Sequence, residues 1–282
     1  MSNDFFFRMG STHTICQDYA LSGLNNNRPF ALISDGCSGK PDGNIPGSPF
    51  TDFGSRFLVR STCRYLEEIR GEYEEQVRRS FPAIKIVTDA LAMARQCLLP
   101  SSSLDATLVG AVRDEDTVNT FRIGDGVIAV RYKEGGFLYS TVKFGNNMPS
   151  YLRYTIDPKN QEQYISEAKT IQTTYNTKTN GKWDDPEVHE FELDTYNLLG
   201  VMSFNTKEVD MVLIFSDGVE SFVDANNQPV PLEKVLDQMF AISVTTGKFL
   251  TRRCNAFFNK FCVENKWKNT DDFSAAGLYV GE

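Results

Sequence analysis

The sequence predicts an α+β fold of antiparallel strands with two pairs of helices. Three observations carry this. Apolar runs that stop abruptly in Ser-Asp-Gly occur twice, at Phe30–Gly36 and Met211–Gly218, and each reads as a buried strand. Short β-rich runs follow one another between 105 and 143. Helical stripes come in pairs, one pair after each Ser-Asp-Gly strand. Strands at both ends of the chain, with no linker or low-complexity tract between them, argue for one domain over residues 1–282.

In chain order, Phe5–Met9 reads as an opening strand that Gly10 breaks. Mixed apolar and polar residues up to Leu24 follow, then the turn signal Asn25-Asn26-Asn27 and the first Ser-Asp-Gly strand. Residues 38–49, rich in Gly, Pro and Ser, are a loop. Residues 51–70 read as a helix, with Phe53, Phe57, Leu58, Tyr65, Leu66 and Ile69 at helical spacing. Residues 82–99 read as a second, bracketed by Pro82 and Pro100, with Ile84, Val87, Leu91, Ala94 and Leu98 as its core stripe. Ala106–Val112, Thr117–Ile123, Val127–Tyr132 and Phe137–Val142 form an antiparallel meander. Gly124-Asp125-Gly126 lies inside it, a tight turn that projects Asp125 from the sheet end. Residues 144–209 read as a surface segment with a strand or two, either a lid or insertion over the site or an irregular excursion. Two more helices, striped by Leu232, Val235, Leu236 and Met239 and then by Phe249, Leu250, Phe257, Phe258 and Phe261, lead to a last strand, Phe273–Val280.

Composition narrows the function. A net charge of −8 gives no electrostatic support for a nucleic-acid partner. No run of eighteen apolar residues could span a membrane, and no signal peptide is evident, so a cytoplasmic location is expected. The six cysteines form no Cys-x-x-Cys pair and read as free thiols. With only His13 and His189 present, a zinc site is disfavoured and an oxygen-ligand site for Mg²⁺ or Mn²⁺ is favoured.

Acidic residues punctuate the predicted strands at Asp18, Asp35, Asp125, Asp217 and Asp271-Asp272. Asp-Gly ordinarily marks a polar turn. Here Asp35 and Asp217 directly follow long apolar runs, so they should converge at one end of a core sheet, where bare carboxylates are costly unless something positive meets them.

With these residues in this order, the chain resembles the metal-dependent (PPM, type 2C) serine/threonine protein phosphatases of the bacterial sort. The resemblance rests on Gly10-x-x-His13-x-x-Cys16-Gln17-Asp18, Asp35-Gly36-x-x-Gly39, Asp105-Ala106-Thr107, Gly124-Asp125, Ser216-Asp217-Gly218-Val219 and Asp271-Asp272, and so spans nearly the whole chain. It implies a four-layer α-β-β-α sandwich, two antiparallel sheets flanked by helix pairs. It also implies a centre of two Mn²⁺ or Mg²⁺ ions. Asp35 would bridge both, Asp217 and Asp271 would hold one, and Asp18 with the Gly36 carbonyl would help hold the other. Asp125 matches a position used for a looser third ion. The implied reaction is hydrolysis of phosphoserine and phosphothreonine on proteins by metal-activated water, with Asp35, Asp18 and His13 as its catalytic residues. The implied partner is a phosphoprotein, such as a serine/threonine kinase or its targets.

The sequence departs from the family pattern in places. His13 stands where many members carry a phosphate-gripping Arg, and is expected to contact the phosphate itself; Arg8 and Arg122 are alternative cations, otherwise solvated strand-face charges. Gln17 replaces a frequent Glu. Cys37 replaces a histidine thought to protonate the leaving group, and reads as a packing residue rather than a redox switch. Asp272 stands where Asn is frequent, and Asp271 is the preferred ligand of the two. The alternatives are a non-catalytic signalling or phosphoprotein-binding module of the same fold, and a phosphatase for a small metabolite.

Overall fold

The computed structural model describes residues 2–37, 50–195 and 198–281. The expected loop at 38–49, with Gly39, therefore lies outside the described residues. In chain order the strands are β1 (Ser2–Arg8), β2 (Tyr19–Asn25) and β3 (Arg28–Ser34). Helices α1 (Thr51–Tyr65), α2 (Glu74–Ser80) and α3 (Ala83–Gln96) follow. Strands β4 (Leu108–Asp114), β5 (Thr117–Ile123), β6 (Val127–Tyr132) and β7 (Phe137–Phe144) precede α4 (Pro158–Ala168). Then come β8 (Thr170–Thr179), β9 (Lys182–Trp183), β10 (Glu187–Glu192), β11 (Leu199–Asn205), β12 (Val209–Phe215) and β13 (Phe222–Val223). The chain closes with α5 (Leu232–Phe240), α6 (Phe249–Ala256), β14 (Lys268–Asn269) and β15 (Phe273–Tyr279).

Besides a two-stranded ribbon of β13 and β14, these strands form two antiparallel sheets. One runs β1-β15-β12-β6-β7-β8-β10, with β9 added on β8; the other runs β11-β5-β4-β3-β2. Ile33, Val109, Ala111, Ile128, Val212, Ile214 and Leu278 fill the space between them. Leu58, Val59, Ile86 and Val87 of α1 and α3 pack on the outer face of the five-stranded sheet, against Leu32, Leu108 and Phe121. Val235, Leu236, Phe249 and Leu250 of α5 and α6 cover the eight-stranded sheet, against Leu213 and Phe215. The result is the expected α-β-β-α sandwich. Each fully buried large side chain, such as Phe121 or Phe215, contributes about 1.5–3 kcal/mol of hydrophobic stabilisation.

Buried polar contacts pin these layers. Asp4 on β1 accepts hydrogen bonds from the Thr251 amide (2.7 Å) and hydroxyl (3.0 Å), which satisfies a first-turn N–H of α6 from a different element. Arg122 is 4% exposed and donates to the carbonyls of Gly126 and Ser140, each at 3.0 Å. It ties β5 to the eight-stranded sheet and is no solvated strand-face charge. Burial pulls its pKa down to about 10. Arg8 instead lies over the Phe258 ring, 4.8 Å from the centroid.

Several expectations change. The run from 106 to 142 is no single meander: β4 and β5 pair in one sheet, β6 and β7 in the other. Gly124-Asp125-Gly126 is the crossover between sheets, and Asp35 and Asp217 lie on opposite sheets rather than at the end of one. The first helix stops at Tyr65, with a 3₁₀ turn to Glu68 beyond it, and α2 was not anticipated. The stripe of α3 is Ile86, Val87, Ala90 and Ala94; Ile84 and Leu98 are 64% and 93% exposed. Residues 144–209 hold more structure than a strand or two. Helix α4, started by Pro158 and capped by Asp157, packs Tyr164 and Ala168 against Val142 and Ile171, β8–β10 widen one sheet and β11 edges the other. Among the described residues no helix is long and apolar enough to cross a membrane, and none of the six cysteines forms a disulfide.

Candidate active site

Antiparallel pairing is what gathers the acidic residues. Tyr19 opens β2 opposite Ser34, the last residue of β3, so Asp18 falls beside Asp35. Phe215 at the end of β12 pairs with Ala275 of β15 and with Val127 of β6. Asp217 therefore lies beside the Asp271-Asp272 entrance to β15 and near Asp125 in the crossover. The Ser-Asp-Gly glycine is required by this packing: a Cβ on Gly218 would lie 1.7 Å from the Asp272 carbonyl oxygen. Gly126 adopts φ +116°, and a Cβ there would lie 2.8 Å from the Phe215 carbonyl oxygen.

The strand ends are stitched together around the carboxylates. Thr107 donates its amide to the Asp35 carbonyl (2.8 Å), and its hydroxyl accepts from the Asp35 amide (3.2 Å). The Ser216 hydroxyl donates to Asp18 Oδ2 (2.7 Å) and accepts from the Ser274 amide (3.0 Å). Asp18 is fully buried. Asp35 lies within hydrogen-bonding reach of both Asp18 and Asp217. Such contacts are bonds only while a proton is shared, because two ionised carboxylates repel.

The electrostatics express that repulsion. Burial lifts Asp18 to about 7, and the charge of Asp217 adds to the lift. Burial and then the charges of Asp18 and Asp217 hold Asp35 well above the usual carboxylate range. Burial, followed by the charge of Asp217, raises Asp125 to about 8. Asp217 is raised by burial and by Asp271. Oδ1 of Asp18 and Oδ1 of Asp217 are buried without a hydrogen-bond donor.

Among the described residues no three His, Cys, Asp or Glu side chains stand in an arrangement that could hold a metal ion as they are. The donor set nonetheless suits a hard divalent cation: four carboxylates crowded together, two buried oxygens lacking donors, and no thiolate or neutral imidazole among them.

The His13 ring sits between two carboxylates, with Nε2 3.3 Å from Asp271 Oδ1 and Nδ1 3.1 Å from Asp272 Oδ2. The second contact is an ion-pair distance not aligned as a hydrogen bond, so Nδ1 counts as an unsatisfied donor. Burial lowers the His13 pKa, but Asp272, Asp271 and Asp18 together outweigh it and the net shift is upward. Asp272 is engaged internally, accepting from the amides of Gly10 (2.8 Å) and Gln17 (2.6 Å). Asp271 instead borders a cleft of about 330 Å³ with Asp125 and Asp217. The Gln17 side chain donates to Thr51 Oγ1 (2.6 Å) at the start of α1. Gly36 pairs in an isolated bridge with Ala106. Cys37 lies beside Tyr151, and burial raises its thiol pKa, so it is held as a thiol.

The same cleft holds Lys143 and Glu220, which the sequence reading missed. A signal for Glu220 existed: Asp217-Gly218-Val219-Glu220 is one 3₁₀ turn, whose three-residue repeat returns Glu220 to the side of Asp217. Ser216, which orients Asp18, was visible only as part of the repeated Ser-Asp-Gly. Arg153 was also missed; it pairs with Asp105 at 2.6 Å. A larger hollow of about 520 Å³ lies beside Gly124 and Arg122, and the acidic residues of the cluster do not line it.

Two packed antiparallel sheets between helix pairs, with acidic strand ends meeting at one seam, define the PPM-type serine/threonine phosphatase fold. The family model described as protein phosphatase 2C matches residues 10–253, and the chain belongs to that family. Solved structures agree in fold. One is an arginine-to-glutamate variant of a bacterial serine phosphatase (14% identity, TM-score 0.52, covering 100% of this chain and 99% of that one). Another is serine-threonine phosphatase 2C from Toxoplasma gondii (11%, 0.51, 98% and 94%). A third is the serine/threonine phosphatase of S. agalactiae (13%, 0.50, 99% and 99%). Comparison with curated protein sequences finds no match.

Proposed function

We propose that this chain hydrolyses phosphoserine and phosphothreonine on proteins with the help of Mn²⁺ or Mg²⁺. The observation that carries the proposal is the meeting of Asp18, Asp35, Asp125 and Asp217 at the seam of two sheets, with oxygens that lack donors. Asp35, central among them, would hold two ions, with Asp217 and Asp271 on one side and Asp18 and the Gly36 carbonyl on the other. Asp125 would serve a looser third. Bound ions supply an activated water and offset the charge of the phosphate dianion.

The chain's own residues do the positioning. Ser216 fixes the rotamer of Asp18 through its 2.7 Å hydrogen bond. Thr107 fixes the backbone of Asp35 on both sides of the peptide unit. His13, set between Asp271 and Asp272, holds the entrance to β15 in place. Its part in the reaction is therefore to position Asp271, and a direct phosphate contact is secondary. The family resemblance and the fold of known serine/threonine phosphatases support a phosphoprotein substrate, such as a kinase or its targets, met in the cytoplasm.

The test is release of phosphate from a phosphothreonine peptide and from p-nitrophenyl phosphate, with Mn²⁺, Mg²⁺ or EDTA. Metal-dependent release from the peptide is expected, and Asp35→Asn should abolish it. A strong preference for the small ester would favour a metabolite phosphatase. The engagement of His13 by two carboxylates favours a second reading, a non-catalytic phosphoprotein-binding module. A folded protein inert with every metal would establish that reading in place of the first.

A further inference from the structure

A phosphate dianion beside a carboxylate cluster needs a cation of its own, and the obvious ones are occupied. His13 lies between Asp271 and Asp272. Arg122 is buried and donates to Gly126 and Ser140. Arg153 is buried against Asp105 at 2.6 Å. Arg8 lies over Phe258.

Lys143 is different. Along β7, Val142 and Phe144 turn inward, while the alternation of the strand leaves Lys143 exposed. Its side chain lines the cleft that Asp125, Asp217 and Asp271 also border. Among the described residues it forms no ion pair within 4 Å and no side-chain hydrogen bond, and the carboxylate its charge reaches, at longer range, is Glu220 of the same cleft. An ammonium suits the place. It is a compact point charge with three donors on a flexible stem, able to meet phosphate oxygens without a fixed planar approach.

We propose that Lys143 is the main phosphate-binding cation of this site, the part the sequence pattern would give to position 13. This rests on the phosphatase reading above. Lys143 would touch the non-bridging oxygens of the phosphoryl group from the β7 side of the cleft that Asp125, Asp217 and Asp271 border.

The test separates binding from turnover. Inorganic phosphate is titrated calorimetrically into the Mn²⁺-loaded protein, and KM and kcat for p-nitrophenyl phosphate are measured alongside. Lys143→Ala should weaken phosphate binding about tenfold or more and raise KM similarly, with a smaller change in kcat. Lys143→Arg should restore most of the loss, and Lys143→Glu should exceed the alanine defect. Stabilisation by Mn²⁺ against heat should survive in all three, showing fold and metal sites intact. Equal phosphate affinity in the wild type and Lys143→Ala, or no phosphate binding by the wild type, would overturn the assignment. A wild type that binds phosphate but releases none from any ester would sink the phosphatase reading and leave the binding assignment standing.

Discussion

At the scale of single residues, the protein places carboxylates where they are costly, and that cost is measurable. Asp18 is held near 7 by burial in the folded state but ionises near 4 in an unfolded chain. Between those values the folded state binds more protons than the unfolded state. Stability of the metal-free protein must therefore fall as pH rises from about 4 to about 7, by up to about 1.4 kcal/mol per pH unit for this group. Asp125 extends the same trend to about 8. Asp18→Asn should flatten that slope and raise the melting temperature of EDTA-treated protein at pH 7.5, while abolishing activity. Thermal melts across pH with and without EDTA check this, and a slope unchanged by the substitution would contradict it. Asp35 and Asp217 stood out because an Asp ending an apolar run is anomalous without a compensating charge, whereas Asp18, Asp125 and Asp271 end no such run and were assigned to the site by the family resemblance. The roles of His13 and Asp272 were not. They depend on a contact across more than 250 residues, and on Asp272 accepting the amides of Gly10 and Gln17, which no local pattern announces.

At the scale of elements, most strands and helices could be read because apolar period follows burial. Where it failed, tertiary context had won. Ile84 and Leu98 sit at helical spacing, yet the face of α3 that meets the sheet is set by Ile86, Val87 and Ala90, and the other two point to solvent. The β5–β6 connection has the local signature of a hairpin. Only the pairing of β6 with β12 reveals that it changes sheets. Residues 144–209 were obscure because β8 is polar and half-exposed along its length, and the alternation visible at Glu187–Leu193 (β10) did not show which sheet it joins. Element contacts also carry a stability prediction. Asp4→Ala removes two acceptor contacts to Thr251 and leaves a first-turn amide of α6 unmatched. It should cost about 1–3 kcal/mol in urea unfolding. Metal-dependent activity per folded molecule should be unchanged, because Asp4 lies outside the acidic cluster.

At the scale of the whole molecule, the fold persists at 11–14% identity to its solved relatives because it is specified by alternation and register rather than by particular core residues. If the acidic seam binds divalent ions, it gains stability by mass action. Mn²⁺ at about a hundred times its dissociation constant should add about 2.7 kcal/mol and raise the melting temperature by several degrees. Excess EDTA should reverse it. No shift with Mn²⁺ or Mg²⁺ in a folded protein would remove the metal proposal.

The sheet order has a consequence of its own. The first strand of the chain, β1, lies in the eight-stranded sheet beside the last, and β11 returns from the second half to edge the five-stranded sheet. Each layer thus borrows a strand from the opposite half of the polypeptide. Neither half can complete a layer by itself, so fragments divided at the Gly124–Gly126 crossover should stay unstructured apart and regain shape only when mixed.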